Sequence, residues 1–212
     1  MESNYTESLD NFDSFDNLGS FENLENEIAK AQQSFYSDNG GKNKIFKKLQ
    51  KYECANHITT RIPIHILMEN MCTILNGTEY IYINYSTFKS FASPDNFNDI
   101  VSHIMSKIDY IAHNFSKIEV LLDLDGFTIS AAERYKPFID LLCSVCFQNN
   151  ASYLSKLNKF TLYNCPSVID TIKKMFMPLM DPSMTSKVVT ILKPDSKEYV
   201  DKIARYFATN LR

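Results

Sequence analysis

Asp123 and Asp125, separated by Leu124, put two carboxylates on one side of an extended chain. A general acid–base pair or a divalent-metal site could use that arrangement. Either chemistry needs a histidine or a third carboxylate close by, and none is near in sequence. Gly126 follows at once, so the group reads instead as an acidic turn that fixes the backbone at a strand end. Cys143-x-x-Cys146 has the spacing of a redox pair or half a zinc site. It stands without a second pair in a helix-like stretch, and reads as two small apolar residues. His57, His65, His103 and His113 show no metal-ligand spacing. No P-loop, dinucleotide fingerprint or nucleophile elbow is present. No catalytic residue, metal or cofactor is assigned, and the chain is not expected to be an enzyme.

A different chemistry is legible between Val168 and Met177. Val168, Ile169, Ile172, Met175 and Phe176 fall on one face of a helix, with Lys173 and Lys174 beside that stripe. Met175, Met177, Met180 and Met184 add flexible, polarizable surface able to repack around an apolar ligand. Such a helix can cover a pocket or lie on an anionic bilayer. The plainer reading is a core helix with a solvated basic edge.

The elements that must position this helix alternate in type. Helices are expected at Lys44–Cys54, from Ser93 to about His113, at Ala131–Phe147, Val168–Met177 and Ser196–Thr209. Strands are expected at Glu79–Asn84, Ile118–Leu124, Phe160–Tyr163 and Val188–Leu192. Leu122 and Leu124 sit in a near-continuous apolar run, as in a strand buried on both faces. Ile58–Leu75 is ambiguous, and a strand at Pro63–Leu67 followed by a helical turn is favoured. Strand–helix alternation of this kind argues for an α/β sheet with helices packed on it.

The 212 residues, 44% hydrophobic, allow one sizeable domain. An odd number of cysteines fits a reducing compartment with free thiols. The start, MESNYTESLDN, has neither a basic nor an apolar region, so no secretory signal is expected. Residues 1–40 carry a net charge of −8 against −3 for the whole chain, leaving +5 on residues 41–212. This shift divides an acidic tail, expected to be disordered, from a domain over 41–212. Within the tail Phe12, Phe15, Leu18, Phe21 and Leu24 recur every third residue. That spacing could order on a protein partner or on the chain's own basic domain.

Asp123-Leu124-Asp125-Gly126, Tyr153-Leu154-Ser155-Lys156, Asn164-Cys165-Pro166, Met177-Pro178-Leu179-Met180-Asp181-Pro182 and Ser186-Lys187 follow one another in that order. Together they resemble the CRAL-TRIO lipid-binding domain family, which includes phosphatidylinositol transfer proteins. The resemblance implies a roughly five-stranded, mostly parallel sheet covered by helices, with an apolar pocket under a gate helix at Val168–Met177. It implies ligand contacts from Lys187, Ser155, Tyr153, Ile172, Met175 and Phe176, and a membrane-facing side carrying Lys173, Lys174, Met177 and Met180. Family members that bind inositol lipids use a glutamate where this chain has Ser155, preceded by proline where it has Leu154. In place of the family's three N-terminal helices the sequence shows an acidic tail and one short helix, and it lacks a closing Leu-Pro…Gly-Gly segment. The expected function is non-enzymatic binding and transfer of a lipid or another hydrophobic ligand. The expected location is cytoplasmic and peripheral to membranes, with no nucleic-acid partner. The alternative is a protein-interaction or structural module, viral in one version, that keeps the fold with a filled pocket.

Overall fold

A computed structural model describes residues 21–210 except 44, 46, 76, 149 and 150. Residues 1–20, with the aromatic spacing at Phe12, Phe15 and Leu18, lie outside the described residues. Three helices come first: α1 (Phe21–Asp38), α2 (Lys47–Arg61) and α3 (Ile64–Met71). The expected disorder through residue 40 is therefore corrected from Phe21 onward. Leu24, Ile28, Ala31 and Phe35 recur at intervals of four, three and four, and all are buried in the main core. Each larger one contributes about 1.5–3 kcal/mol by leaving water. The acidic residues between them face solvent, so composition concealed an amphipathic helix. The expected strand at Pro63–Leu67 is also corrected to a helix. Pro63 (φ −54°, ψ 130°) sits at the N-cap of α3. Ile64, Leu67, Met68 and Met71 then follow helical spacing, with Leu67 and Met71 fully buried.

The sheet contains β1 (Cys72–Ile74), β2 (Tyr80–Asn84), β3 (Ile118–Asp123), β4 (Leu157–Cys165) and β5 (Val188–Leu192). Their spatial order is β1-β2-β3-β4-β5. β1 and β2 form an antiparallel hairpin, and the remaining neighbours are parallel. The helices between them are α4 (Tyr85–Phe91), α5 (Phe97–Asn114), α6 (Ile129–Gln148), α7 (Ala151–Lys156), α8 (Ile169–Phe176) and α9 (Pro182–Thr185). α10 (Lys197–Asn210) ends the described chain. Right-handed crossovers that always advance the same way place their connecting helices on one face. Ile83, Val120, Leu122, Phe160 and Leu162 point to that face. Tyr82, Leu121 and Tyr163 point to the other, where α10 lays Ile203, Tyr199 and Phe207 over them. Tyr163 stacks on Tyr199 at 5.8 Å, and Tyr82 meets Phe207 edge-on at 5.7 Å. The sheet is thus covered on both sides, as the apolar run of β3 requires. Among the described residues no helix is long and apolar enough to cross a membrane.

Candidate ligand cavity

The strand C-termini are held by a small polar lattice. Asp123 Oδ1 accepts from the backbone N–H of Asp125 at 2.9 Å and from Asn164 Nδ2 at 2.9 Å. Gly126 takes φ +72° to turn the chain away. Asn164, at φ +51°, donates its backbone N–H to Ser196 Oγ at 2.8 Å. Asp125 pairs with Lys193. The two carboxylates are thereby engaged in joining β3 to β4 and to the segment after β5, and not in facing a common reactive point.

Beside this lattice, between the sheet and the helices on its first face, lies a partly enclosed cavity of about 280 Å³. Ile83, Val120, Leu122 and Phe160 form its floor. All four sit on strands inside the sheet yet are only half-buried, because they open onto the void rather than onto packed neighbours. α5 supplies Ile104 and Ile108, and α4 supplies Phe88. α6 supplies a long wall that includes Phe138, Leu142, Cys143 and Cys146. α8 closes the top with Ile169, Ile172 and Phe176, assisted by Met180 and Met184.

The chemistry inside is almost wholly apolar. Burial pushes the Cys143 thiol up to about 11 and the Cys146 thiol up to about 12, so both stay protonated at neutral pH. Cys146 Sγ lies 3.5 Å from Met105 Sδ. Neither thiol has the lowered pKa that redox or nucleophilic work needs. The Tyr153 hydroxyl donates to the Asp109 carboxylate, and the Tyr135 hydroxyl donates to the Lys89 carbonyl at 3.3 Å. These tyrosines therefore show rings, not free hydroxyls, to the space.

The residues marked from sequence divide into groups. Ile172, Phe176 and Tyr153 line the cavity. Met180, expected on the membrane side, lines it too. Lys173 stands at the wall, with Nζ 3.5 Å from Asp170. Met175 is half-buried and packs on the core outside the lining. Lys174 and Met177 are exposed on the outer side of the cover. Ser155 is exposed and off the wall. Lys187 is off the wall as well: its ammonium donates to the Leu154 carbonyl at 2.6 Å and straps the start of β5 to α7. The α6 wall was missed from sequence. Its signal was available, since Ile139, Leu141, Leu142 and Val145 spread around more of the helix than a one-sided stripe would.

A family model described as CRAL/TRIO domain matches residues 75–209. Among solved structures the crystal structure of Sfh5 is similar, with a TM-score of 0.47 and 16% identity. That likeness covers 82% of this chain and 65% of the other, so this chain spans about two thirds of its length. The comparison with curated proteins returns no match.

Proposed function

The chain belongs to the CRAL/TRIO domain family, and from that premise we propose that it is a non-enzymatic carrier that holds a lipophilic ligand by its hydrocarbon part under α8. The observation behind this reading is the apolar cavity of about 280 Å³. Interiors are close-packed, with few voids larger than a water molecule. An unfilled apolar space of this volume would cost up to roughly 7 kcal/mol at about 24 cal/mol per Å³. A whole domain keeps only about 5–15 kcal/mol of net stability. An occupant that fills the space removes that cost, whereas an interaction module with a filled pocket would have no such space.

The volume lies just below the roughly 300–1,000 Å³ of ordinary ligand pockets. With α8 in place it suits a single chain or a small ring system. A two-chain lipid requires α8 and the turn Met177–Leu179 to swing outward, which the methionines there favour. Ile172, Phe176 and Tyr153 contact the hydrocarbon. Lys174 on the outer surface of α8 and Met177 in the turn after it meet a membrane during exchange. Headgroup recognition by Lys187 and Ser155 is not part of this reading, because one is tied to a carbonyl and the other lies outside. Native mass spectrometry of the purified chain tests the proposal. A copurifying lipid is the expected result. A bare chain that also takes up no fluorescent fatty acid or sterol would overturn it.

A further inference from the structure

Residues 42–51 hold five lysines, and the start of α2 carries Lys47, Lys48 and Lys51 with no acid in its first turn. Cations at a helix N-terminus oppose the backbone dipole and weaken the helix. Glu53 is the one acid of α2, and among the described residues no ion pair joins Lys42, Lys47, Lys51, Lys89 or Arg134 to any carboxylate. Three of these cations rest on aromatic faces instead. Lys42 lies 5.5 Å from the Tyr36 ring centre, Lys89 5.6 Å from Tyr85, and Arg134 5.3 Å from Tyr135. Geometry brings Lys89 and Arg134 up to α2: the Tyr52 hydroxyl donates to the Arg134 carbonyl at 2.7 Å, and the Tyr135 ring under Arg134 lies 6.4 Å from the Tyr85 ring under Lys89. Burial first, then Arg134, Lys47, Lys42 and Lys89, draw the Lys51 ammonium below its ordinary value.

The same end of α2 shows two aliphatic side chains to water: Ile45, 84% exposed just before the helix, and Leu49, 58% exposed in its first turn on the side away from Lys47 and Lys51. They are not on a loose loop. Gln50 accepts from the Asn43 N–H at 2.6 Å and donates to the Gly41 carbonyl at 2.7 Å, while Asn43 Oδ1 accepts from the Ile45 N–H at 2.8 Å. Local stability is thus given up twice at one place, for charge and for apolar exposure, and these bonds tie residues 41, 43 and 45 to α2.

We propose that this tip, Ile45 and Leu49 at the end of α2 flanked by Lys42, Lys47, Lys51, Lys89 and Arg134, is a docking surface met end-on by an anionic lipid bilayer. The aliphatic pair enters the interface while the cations meet acidic headgroups. A soluble polyanion would account for the cations alone. Tyr85 and Tyr135, under Lys89 and Arg134, also line the cavity, so docking brings that end of the cavity to the membrane. The surface is separate from α8, and the inference goes beyond the carrier reading.

The test is sedimentation of the full chain with phosphatidylcholine vesicles, with and without phosphatidylserine. Wild type should bind only the anionic vesicles, and less as salt rises. Changing Lys47 and Lys51 together to Glu should weaken binding about 25-fold or more, from roughly fivefold per lysine near such a surface. Ile45→Ser with Leu49→Ser should also weaken it, leaving the salt dependence. All four positions lie on this tip away from the cavity wall, so melting and lipid occupancy by native mass spectrometry should stay at wild-type values. Equal binding of wild type and both double variants overturns the proposal without touching the carrier reading. Binding of a short duplex DNA through these lysines, with no vesicle binding, overturns it in favour of nucleic acid.

Discussion

Single residues at the strand ends decide how the cavity is framed. Gly126 occupies the left-handed region, where a Cβ costs roughly 1–2 kcal/mol. A Cβ there would also come 3.2 Å from Lys89 Nζ, a flexible group that can move aside. Gly126→Ala should therefore lower unfolding free energy by about 1–2 kcal/mol in urea, with the fold intact. Lys187 is a strap. Lys187→Met removes a charged hydrogen bond and should cost about 1.5–3 kcal/mol, with phosphorylated and neutral ligands retained equally. A selective loss of phosphorylated ligand would restore its headgroup role. Asp181 caps α9 by accepting from the Ser183 hydroxyl at 2.6 Å and backbone N–H at 2.8 Å. Those bonds hold its carboxyl below the ordinary 3.8. The stabilisation is full above that value and fades as pH falls through the lowered pKa. Because Met184 of α9 lines the cavity, ligand release should accelerate below pH 3.8, and Asp181→Asn should flatten that acid dependence.

At the scale of elements, β3 separates two kinds of burial. Leu121 is packed under α10, while Leu122 borders the void. Leu122→Phe should fill space, keep the melting temperature within a few degrees and reduce ligand uptake. Leu121→Phe should overpack and cost about 1–3 kcal/mol. A reversed order would mean that the void lies on the wrong face of the sheet. The run Ile118–Leu124 was legible because apolar residues in unbroken succession mark a strand covered on both faces, and the stripe of α8 because it has one period and one buried side. α3 was not, because Ile and Leu after a proline suit a strand as well as a helix, and only the sheet beside it decides. The cavity was legible in part. Residue types give its apolar lining, but free volume depends on how far α6 and α8 stand from the sheet, which no local pattern carries. The direction of the Lys187 ammonium was hidden for a similar reason, since its acceptor is a backbone carbonyl 33 residues away.

For the whole molecule, α1 belongs to the same core as the helices on the cavity side of the sheet. Limited proteolysis should therefore spare Leu24–Asp38, and a stable product starting near Lys42 would contradict the packing of Leu24 and Phe35. The consecutive strand order has a further result for a chain made from its N-terminus. Each new strand can join the edge left by the one before, so the sheet grows in step with synthesis. The floor is complete through β4 before the cover exists. Ile169–Leu192, which holds α8, α9 and β5, takes roughly 1–5 s to be synthesised at about 5–20 residues per second. During that interval a nascent chain would present an open greasy trough, and an occupant acquired then would be enclosed as the last strand arrives, so that the domain would be filled at its birth.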